Sequence, residues 1–333
     1  MKRMQIGKVS TSRLEKTVLS KISHHRKDIL VNSGVGEDSA VVDFGEEVLA
    51  ISSDPITGAG QQAGYLAVHV ACNDLAAAGA SPIGVQVVLL LPPEATDEMI
   101  GDLMTEINDT ACSLGIQVLG GHTEVLSEVS KTIIVVTAIG RADRDKFVAT
   151  GGARPGDKIL LTKGVGLEGA FILAGDYPDY LLKQGVSPEA LEEALSYQQE
   201  LSVLPEGLLA ASYGVNSLHD ITEGGLYGAL QEVCAASKCG FHLKPGSEIV
   251  RPAVAEICSR LGLNPLALIS SGSMLITLPE AEELQQELYR EGIKSFQVGE
   301  IVKERVSLIL ADGELKPLEW DGEDELWKFL GEI

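Results

Sequence analysis

Acidic residues in the first half of the chain occur at the ends of predicted strands and within one apolar helix. Asp38 follows the glycines of GVGEDSAVV, Asp54 ends the apolar run LAISSD, and Asp74 lies in HVACNDLAAAGASP. Carboxylate oxygens are hard ligands that suit Mg²⁺, and water and phosphate can fill its remaining positions. Acidic and polar residues from these distant segments therefore suit hard oxygen ligation of Mg²⁺.

The composition of the helix predicted at residues 62–79 indicates whether Asp74 is a ligand or a solvated side chain. Considered alone, the aspartates at strand ends could cap turns, and Asn73 and Asp74 could lie on a solvated helix face. Leu66, Val70 and the alanines after Asp74 leave this helix almost no polar surface. Asp74 is therefore expected to be at least half buried, and a buried carboxylate needs a cation or several hydrogen-bond donors.

The stretch KILLTKGVGLEGAFILA at residues 158–174 has the G-x-G-x-x-G spacing of a dinucleotide-binding loop between a strand and a helix. A dinucleotide fold also needs a second strand after that helix, with an acidic residue about 20 positions on to hold the ribose. Residues 187–212 instead predict one long helix. NAD binding is therefore not expected, although the loop could still approach a phosphate at the helix N-terminus.

Other catalytic and phosphate-binding motifs are missing from the sequence. There is no G-x-x-x-x-G-K-[ST] loop, no Ser-His-Asp order and no zinc-type spacing. If the protein binds a nucleotide, metal ions and backbone N–H groups must neutralise most of the phosphate charge.

Composition argues against several classes of function. The 333-residue chain carries a formal net charge of −22, which repels phosphate backbones, so nucleic-acid binding is not expected. The sequence contains no run of about 18 apolar residues, so no membrane span is predicted. The five cysteines form no C-x-x-C pair, which is typical of buried, reduced cysteines. We therefore expect a cytoplasmic protein without membrane or nucleic-acid partners.

Strands and long helices follow one another irregularly in both halves, which favours an α+β or mixed α/β fold over a doubly wound sheet. The turn-rich ATGGARPGDK at residues 149–158 predicts a domain boundary, with domains at 1–150 and 151–333. The acidic C-terminal tail is predicted to form a final strand and helix, with Trp320 and Trp327 as anchors.

The order of the motifs resembles that of the AIR synthase superfamily of PurM-like ATP-binding proteins. This superfamily includes aminoimidazole ribonucleotide synthase, thiamine-monophosphate kinase, selenophosphate synthetase and the hydrogenase maturation protein HypE. The resemblance spans nearly the whole chain, through GEDSA, SSDPIT, NDLAAAGASP, GGHT, TKGVGLEG and HDITEGGL. The NDLAxxGAxP and HDxTxGGL forms are closest to HypE.

The resemblance implies a two-domain PurM-like fold. The N-terminal sheet would pair with that of a second subunit to close a barrel across a homodimer. ATP and Mg²⁺ would lie in the cleft between the N-terminal domain and the C-terminal α/β domain, with the metal held by Asp38, Asp54 and Asp74. The implied nucleotide-binding residues are Gly36, Asn73, Thr123, Lys163, Gly164, Gly166, Gly224 and Gly225.

The implied catalytic residues lie in HDITEGGL: Asp220, Thr222 and His219. His219 could act as a general base, because imidazole titrates near neutrality, or could be a structural histidine at a strand end. Several relatives have Asp or Glu in place of His122, which leaves a metal ligand either missing or replaced by imidazole.

The shared chemistry of the family implies an ATP- and Mg²⁺-dependent enzyme. It would phosphorylate an amide-type oxygen and so permit dehydration or cyclisation of a small or protein-borne substrate. Two alternatives stay open: phosphoryl transfer to a small molecule, as in thiamine-monophosphate kinase, and a non-catalytic ATP-binding partner in a maturation complex. The second arises because HypE ends in a cysteine that accepts a carbamoyl group, later dehydrated to thiocyanate, whereas this sequence ends in DELWKFLGEI.

Overall fold

The computed structural model describes these residues of the chain: 8–9, 11–24, 26–57 and 62–332. The ends of the predicted domains, at residues 1–7 and 333, lie outside this part. Two sheets packed against helices form the mixed α/β fold that the sequence predicts. The boundary after residue 150 stays a prediction. No helix in the described ranges is long and apolar enough to span a membrane.

The first sheet contains six strands among the described residues. They are β1 (Ile29–Val31), β2 (Ala40–Asp43), β3 (Glu47–Ile56), β4 (Ser81–Leu91), β5 (Gln117–Val125) and β6 (Ile133–Asp143). The helices of this half are α1 (Thr11–Thr17), α2 (Ala63–Ala77) and α3 (Asp97–Ser113). The strand order is β1-β2-β3-β6-β4-β5, antiparallel throughout except for β4 and β5. That pair is parallel because α3 forms the crossover between its strands.

The second sheet contains seven strands in the described part. They are β7 (Lys158–Thr162), β8 (Ser217–Ile221), β9 (Gly240–Leu243), β10 (Ser273–Leu278), β11 (Ser295–Val302), β12 (Ser307–Ala311) and β13 (Glu314–Pro317). The helices are α4 (Leu167–Asp176), α5 (Pro178–Lys183), α6 (Pro188–Ser196), α7 (Leu204–Ser212), α8 (Gly225–Ser237), α9 (Pro252–Leu261), α10 (Glu282–Arg290) and α11 (Glu325–Glu332). The strand order is β13-β12-β9-β11-β7-β10-β8, and only β9 and β12 pair in parallel.

Helix α2 lies between the two domains. It packs on β3 and β6 of the first sheet and on α7 and β8 of the second domain. Its backbone approaches α7 so closely that a Cβ on Gly207 would lie 2.6 Å from the Ala76 carbonyl oxygen. Because both sides of α2 are covered, Asp74 is only 7% exposed, and the predicted burial of this carboxylate is confirmed.

Two predicted elements differ from the observed ones. The long helix expected at residues 187–212 is interrupted after α6 by a 3₁₀ turn at Tyr197–Glu200, and α7 starts with Pro205 in its first turn. Proline has no N–H and cannot continue a helix from the preceding turn. The strand around the GGHT motif is longer than its glycines indicate, because residues 117–125 pair with β4 along their length and the motif lies within β5.

Candidate functional site

A cavity of about 730 Å³ lies between the two domains. One wall consists of residues 36–38, residues 52–57 and a face of α2. The other consists mainly of α4, the β8–α8 turn and α11. Six of the predicted site residues line this cavity: Gly36, Asp38, Asp54, Asp74, Asp220 and Thr222.

Helical periodicity explains how α2 brings Asp74 to the cavity. Leu66, Val70 and Asp74 are spaced four residues apart, so they follow one face of the helix, and all three line the cavity. Strand β3 lies against α2 and contributes Asp54. The α2 wall is therefore apolar toward Leu66 and acidic toward Asp74.

Gly36 brings the loop that carries Asp38 against α8. Its φ is 76°, and an added Cβ would lie 2.5 Å from the Glu232 carbonyl oxygen. Only glycine permits this approach without moving the loop. Gly36 therefore acts by letting Asp38 reach the second domain, where Asp38 meets the end of β8.

The clustered aspartates disfavour each other's charge. Burial, followed by repulsion from Asp220 and Asp54, raises the pKa of Asp74 well above its ordinary value. Burial and the Asp38 carboxylate raise the pKa of Asp220 to about 7. Since repulsion falls when a cation binds, this arrangement favours a cation between the carboxylates.

The donor set fits a hard metal ion. Asp220 Oδ2 is buried, and no described residue donates a hydrogen bond to it. Carboxylate oxygens of Asp38 and Asp220 lie within 4.8 Å of each other. Carboxylate oxygens with unsatisfied charge are the environment in which Mg²⁺ binds, with water or phosphate in its other positions.

His219 connects the two domains. Its Nδ1 lies 2.7 Å from Asp38 Oδ1, and its Nε2 lies 3.0 Å from Glu232 Oε2. Although burial opposes a charged ring, the two carboxylates raise the pKa of His219 well above its ordinary value. Both nitrogens of an imidazolium are donors, so neither can accept a substrate proton. The geometry contradicts the general-base interpretation and supports a structural histidine.

Lys163 does not reach the cavity either. Its Nζ lies 2.8 Å from Glu206 Oε1 and donates to the carbonyl oxygens of Glu200 and Ser202, at 3.0 and 2.6 Å. These three acceptors use all three donors of the ammonium group. The expected nucleotide contact is therefore contradicted, because Lys163 is held in a buried ion pair instead.

The glycines of the G-x-G-x-x-G stretch are also bonded within the protein. The Gly164 N–H donates to Thr162 O at 2.6 Å, and the Gly166 N–H donates to Ser270 Oγ at 2.8 Å. Neither glycine lines the cavity, so the expected phosphate contact is not formed by this loop. The next described strand after α4 begins at Ser217, which confirms the expectation that no dinucleotide fold follows.

The start of α8 is similarly closed to a ligand. The Gly224 N–H donates to the buried carboxylate of Asp324 at 2.5 Å, and the Gly225 N–H donates to Thr222 O at 3.1 Å. Neither glycine lines the cavity. The expectation that these two glycines bind a nucleotide is contradicted, because the protein itself caps this helix.

Asn73 and Thr123 lie outside the cavity as well. The Asn73 side chain donates to Leu201 O at 2.8 Å and accepts from the Val203 N–H at 2.9 Å, so it fixes the segment before α7 to α2. Thr123 lies on the exposed strand β5. Within one protomer, neither predicted nucleotide contact is supported. His122, also exposed on β5, lies near Glu124.

Six charged residues that line the cavity were not predicted as site residues, and Lys8 and Glu232 are two of them. Lys8 Nζ lies 3.1 Å from Thr222 Oγ1 and 3.7 Å from Glu232 Oε1, and both Lys8 and Glu232 line the cavity. Helical spacing after the HDITEGGL motif could have indicated Glu232, since it lies two turns into α8. No motif indicates Lys8.

The other end of the cavity is apolar. Ile172, Tyr177, Trp327 and Leu330 line it, and α11 closes it. The predicted final strand and helix are confirmed as β13 and α11. Trp320 packs against Tyr227, whereas Trp327 lines the cavity, and its buried Nε1–H has no hydrogen-bond partner among the described residues.

The chain is thus a two-domain α/β protein with an aspartate-lined cavity between its domains. Such a cavity would need bound cations to accept an anionic ligand. The chain belongs to the AIR synthase related protein family. The model of the N-terminal domain of this family matches residues 36–142, and the model of its C-terminal domain matches residues 154–311. The resemblance that the motif order predicts is therefore confirmed.

Curated relatives include proteins of hydrogenase maturation. The chain is 28% identical over 296 residues to a protein of Methanocaldococcus jannaschii whose name assigns it to hydrogenase expression and formation; 84% of this chain and 85% of that protein are covered. It is 30% identical over 267 residues to the carbamoyl dehydratase HypE of Azotobacter vinelandii, with 78% and 76% covered.

Solved structures share the two-domain fold. The hydrogenase maturation protein HypE in complex with ATP matches with a TM-score of 0.66 at 23% identity, over 97% of this chain and 98% of that chain. A ThiL protein complexed with AMPPCP and TMP matches with a TM-score of 0.71 at 19% identity, over 94% and 95%. The predicted PurM-like fold is confirmed by these matches.

Proposed function

We propose that the protein is an ATP- and Mg²⁺-dependent dehydratase that activates an amide-type oxygen by phosphorylation. The observation that carries this proposal is the convergence of four buried or half-buried aspartates, from both domains, on one cavity. A relative named carbamoyl dehydratase HypE and a HypE structure in complex with ATP support it.

The residues at the two ends of the cavity would have different roles, phosphate and metal binding at one end and exclusion of water at the other. Asp38, Asp54, Asp74 and Asp220 would hold Mg²⁺, which would supply positive charge to the phosphate oxygens during phosphoryl transfer. Thr222 Oγ1 accepts from Lys8, so its own hydroxyl hydrogen is free to donate to a phosphate oxygen. The apolar end at Trp327 would keep water from the activated oxygen.

A carbamoyl group illustrates the reaction that this arrangement would carry out. The carbamoyl oxygen would attack the γ-phosphorus, and ADP would leave. Loss of that oxygen as phosphate, together with the two N–H protons, would then convert the amide carbon and nitrogen into a nitrile. One ATP would give one ADP and one phosphate for each dehydration.

Product analysis distinguishes this reaction from its alternatives. With MgATP and an S-carbamoylated cysteine peptide, we expect a thiocyanate, ADP and inorganic phosphate in equal amounts, measured by mass spectrometry and a phosphate assay. ADP with a phosphorylated acceptor and no inorganic phosphate would contradict dehydration and indicate a phosphotransferase. ATP binding without ADP formation would instead indicate a non-catalytic maturation partner, which the hydrogenase expression relative makes a relevant alternative.

We further propose that the protein forms a homodimer through β5. Among the described strands, β5 pairs with β4 only, and residues 119–125 are all exposed. Leu119 and Val125 are 48% and 57% exposed. An unpaired edge strand with apolar side chains is a surface for pairing with another chain.

Sedimentation tests this dimer. The Leu119→Lys/Val125→Lys variant is expected to sediment as a monomer, because it places charges on the proposed interface. The Leu182→Lys control changes a leucine that is 44% exposed on α5 and should sediment like the wild type. A wild-type protein that sediments as a monomer would contradict the proposal.

A further inference from the structure

Positive charge is scarce in the cavity. Among the described residues that line it, nine are acidic and one, Lys8, is basic. A triphosphate that enters such a cavity is repelled unless cations offset the carboxylates. Mg²⁺ bound between the aspartates would offset their negative charge. The wall at the β8–α8 turn lies beside further carboxylates and needs a positive group of its own.

The backbone of this wall does not provide that group. A helix N-terminus is an ordinary anion site, because its N–H groups are free and its dipole is positive there. At α8, however, the Gly224 N–H is bonded to Asp324 and the Gly225 N–H to Thr222 O. These two N–H groups are therefore occupied, which gives a charged side chain at this wall a role in phosphate binding.

Lys8 is held at this wall by its backbone and by its side chain. Its backbone N–H donates to Glu223 Oε1 at 2.7 Å, and its Nζ donates to Thr222 Oγ1 at 3.1 Å. Nζ also lies 3.7 Å from Glu232 Oε1, and 54% of the side chain is exposed. An ammonium group has three donors, so one stays available to a ligand in the cavity.

The surroundings of Lys8 keep it charged. Desolvation by the walls of the cavity favours the neutral amine, but the carboxylates of Glu232, Asp220 and Glu223 together raise the pKa of Lys8 above its ordinary value. The ammonium group is thus present at neutral pH, beside the Thr222 hydroxyl.

We propose that Lys8 binds the polyphosphate of the nucleotide directly. It would take the role that the lysine of a G-x-x-x-x-G-K-[ST] loop has in other nucleotide sites, since this sequence has no such loop. This inference rests on the proposed function, since it needs a nucleotide in the cavity. Lys8 would then complete the site beside Thr222, in the cavity that Asp38, Asp54, Asp74 and Asp220 also line.

Calorimetric titration of the full chain tests this role. In Mg²⁺, Lys8→Ala should weaken ATP binding by about tenfold or more, as expected for the loss of a charge-assisted hydrogen bond. Adenosine binding should be unchanged, because adenosine has no phosphate. Lys8→Arg should keep most of the ATP affinity. The Lys146→Ala control, at an exposed lysine paired with Asp143, should bind ATP like the wild type.

The outcomes separate the inference from the function on which it rests. A wild-type protein that does not bind ATP would refute both. If the wild type binds ATP and Lys8→Ala binds it equally well or more tightly, the role of Lys8 is refuted and the proposed function is not. An equal loss of adenosine binding would also refute it, because Lys8 would then act on the fold. Lys8→Arg provides the test if Lys8→Ala does not fold.

Discussion

Asp74→Asn is expected to increase the free energy of unfolding of the metal-free protein while strongly weakening Mg²⁺-dependent ATP binding. Asp74 is 7% exposed, and burial together with repulsion from Asp220 and Asp54 raises its pKa. Its charged form at neutral pH is therefore a cost to the folded state. Asparagine has nearly the same shape and can still accept from Ser52 Oγ, but it carries no charge. We expect a gain on the order of 1 kcal/mol, the usual size of the effect of a single substitution.

The same change removes one of the proposed metal ligands. Even the partners behind metal ligands are typically worth about 10–100-fold in affinity, so MgATP affinity should fall by roughly 100-fold or more. Urea unfolding in EDTA and calorimetry with MgATP measure the two effects. Asp102→Asn, on the exposed face of α3, is the matched control and should alter neither. A variant that is less stable than the wild type in EDTA and still binds MgATP would contradict the cation site.

Lys163→Met is expected to destabilise the protein by about 3–5 kcal/mol, the usual range when one partner of a buried ion pair is removed. Its partner Glu206 is 0% exposed, so the variant leaves a buried carboxylate without a cation. The carbonyl oxygens of Glu200 and Ser202 also lose their donor. Urea unfolding monitored by circular dichroism measures the loss.

Two further variants show whether this loss comes from the ion pair. Lys158→Met, on strand β7, which ends just before Lys163, removes only a partly exposed 4.0 Å pair with Glu300 and should cost no more than about 0.5 kcal/mol. Lys163→Met/Glu206→Leu removes both charges and should recover much of the stability. If Lys163→Met instead keeps its stability and loses ATP affinity, Lys163 binds phosphate after all.

The acidic wall of the cavity could be predicted in part, because simple periodic rules govern helix α2. An apolar helix with one aspartate must bury that aspartate. The four-residue steps from Leu66 through Val70 to Asp74 fix the face of the helix on which Asp74 lies. Asp38, Asp54 and Asp220 are adjacent in space because their strands and loops meet at the same cleft. Residue type and position within each element indicated Asp38 and Asp54, whereas Asp220 was expected at the cleft only from the family resemblance, as a catalytic residue.

The contacts of the glycine and lysine motifs could not be predicted in the same way. A glycine or lysine in a motif shows that a backbone or an ammonium group is available, but not which acceptor it meets. Gly224 meets Asp324, 100 residues away, and Lys163 meets Glu206 on α7. Lys8 reaches Thr222 across 214 residues. Such long-range pairs depend on how the two domains pack, and no local pattern records that packing.

Anomalous scattering from Mn²⁺ tests the central claim most directly. The measurement is a crystal structure of the protein with Mn²⁺ and a non-hydrolysable ATP analogue. We predict manganese peaks within about 2.5 Å of carboxylate oxygens of Asp54, Asp74 and at least one of Asp38 and Asp220, with phosphate oxygens in the remaining positions. Peaks elsewhere, or a nucleotide bound outside the cavity between the domains, would contradict the account.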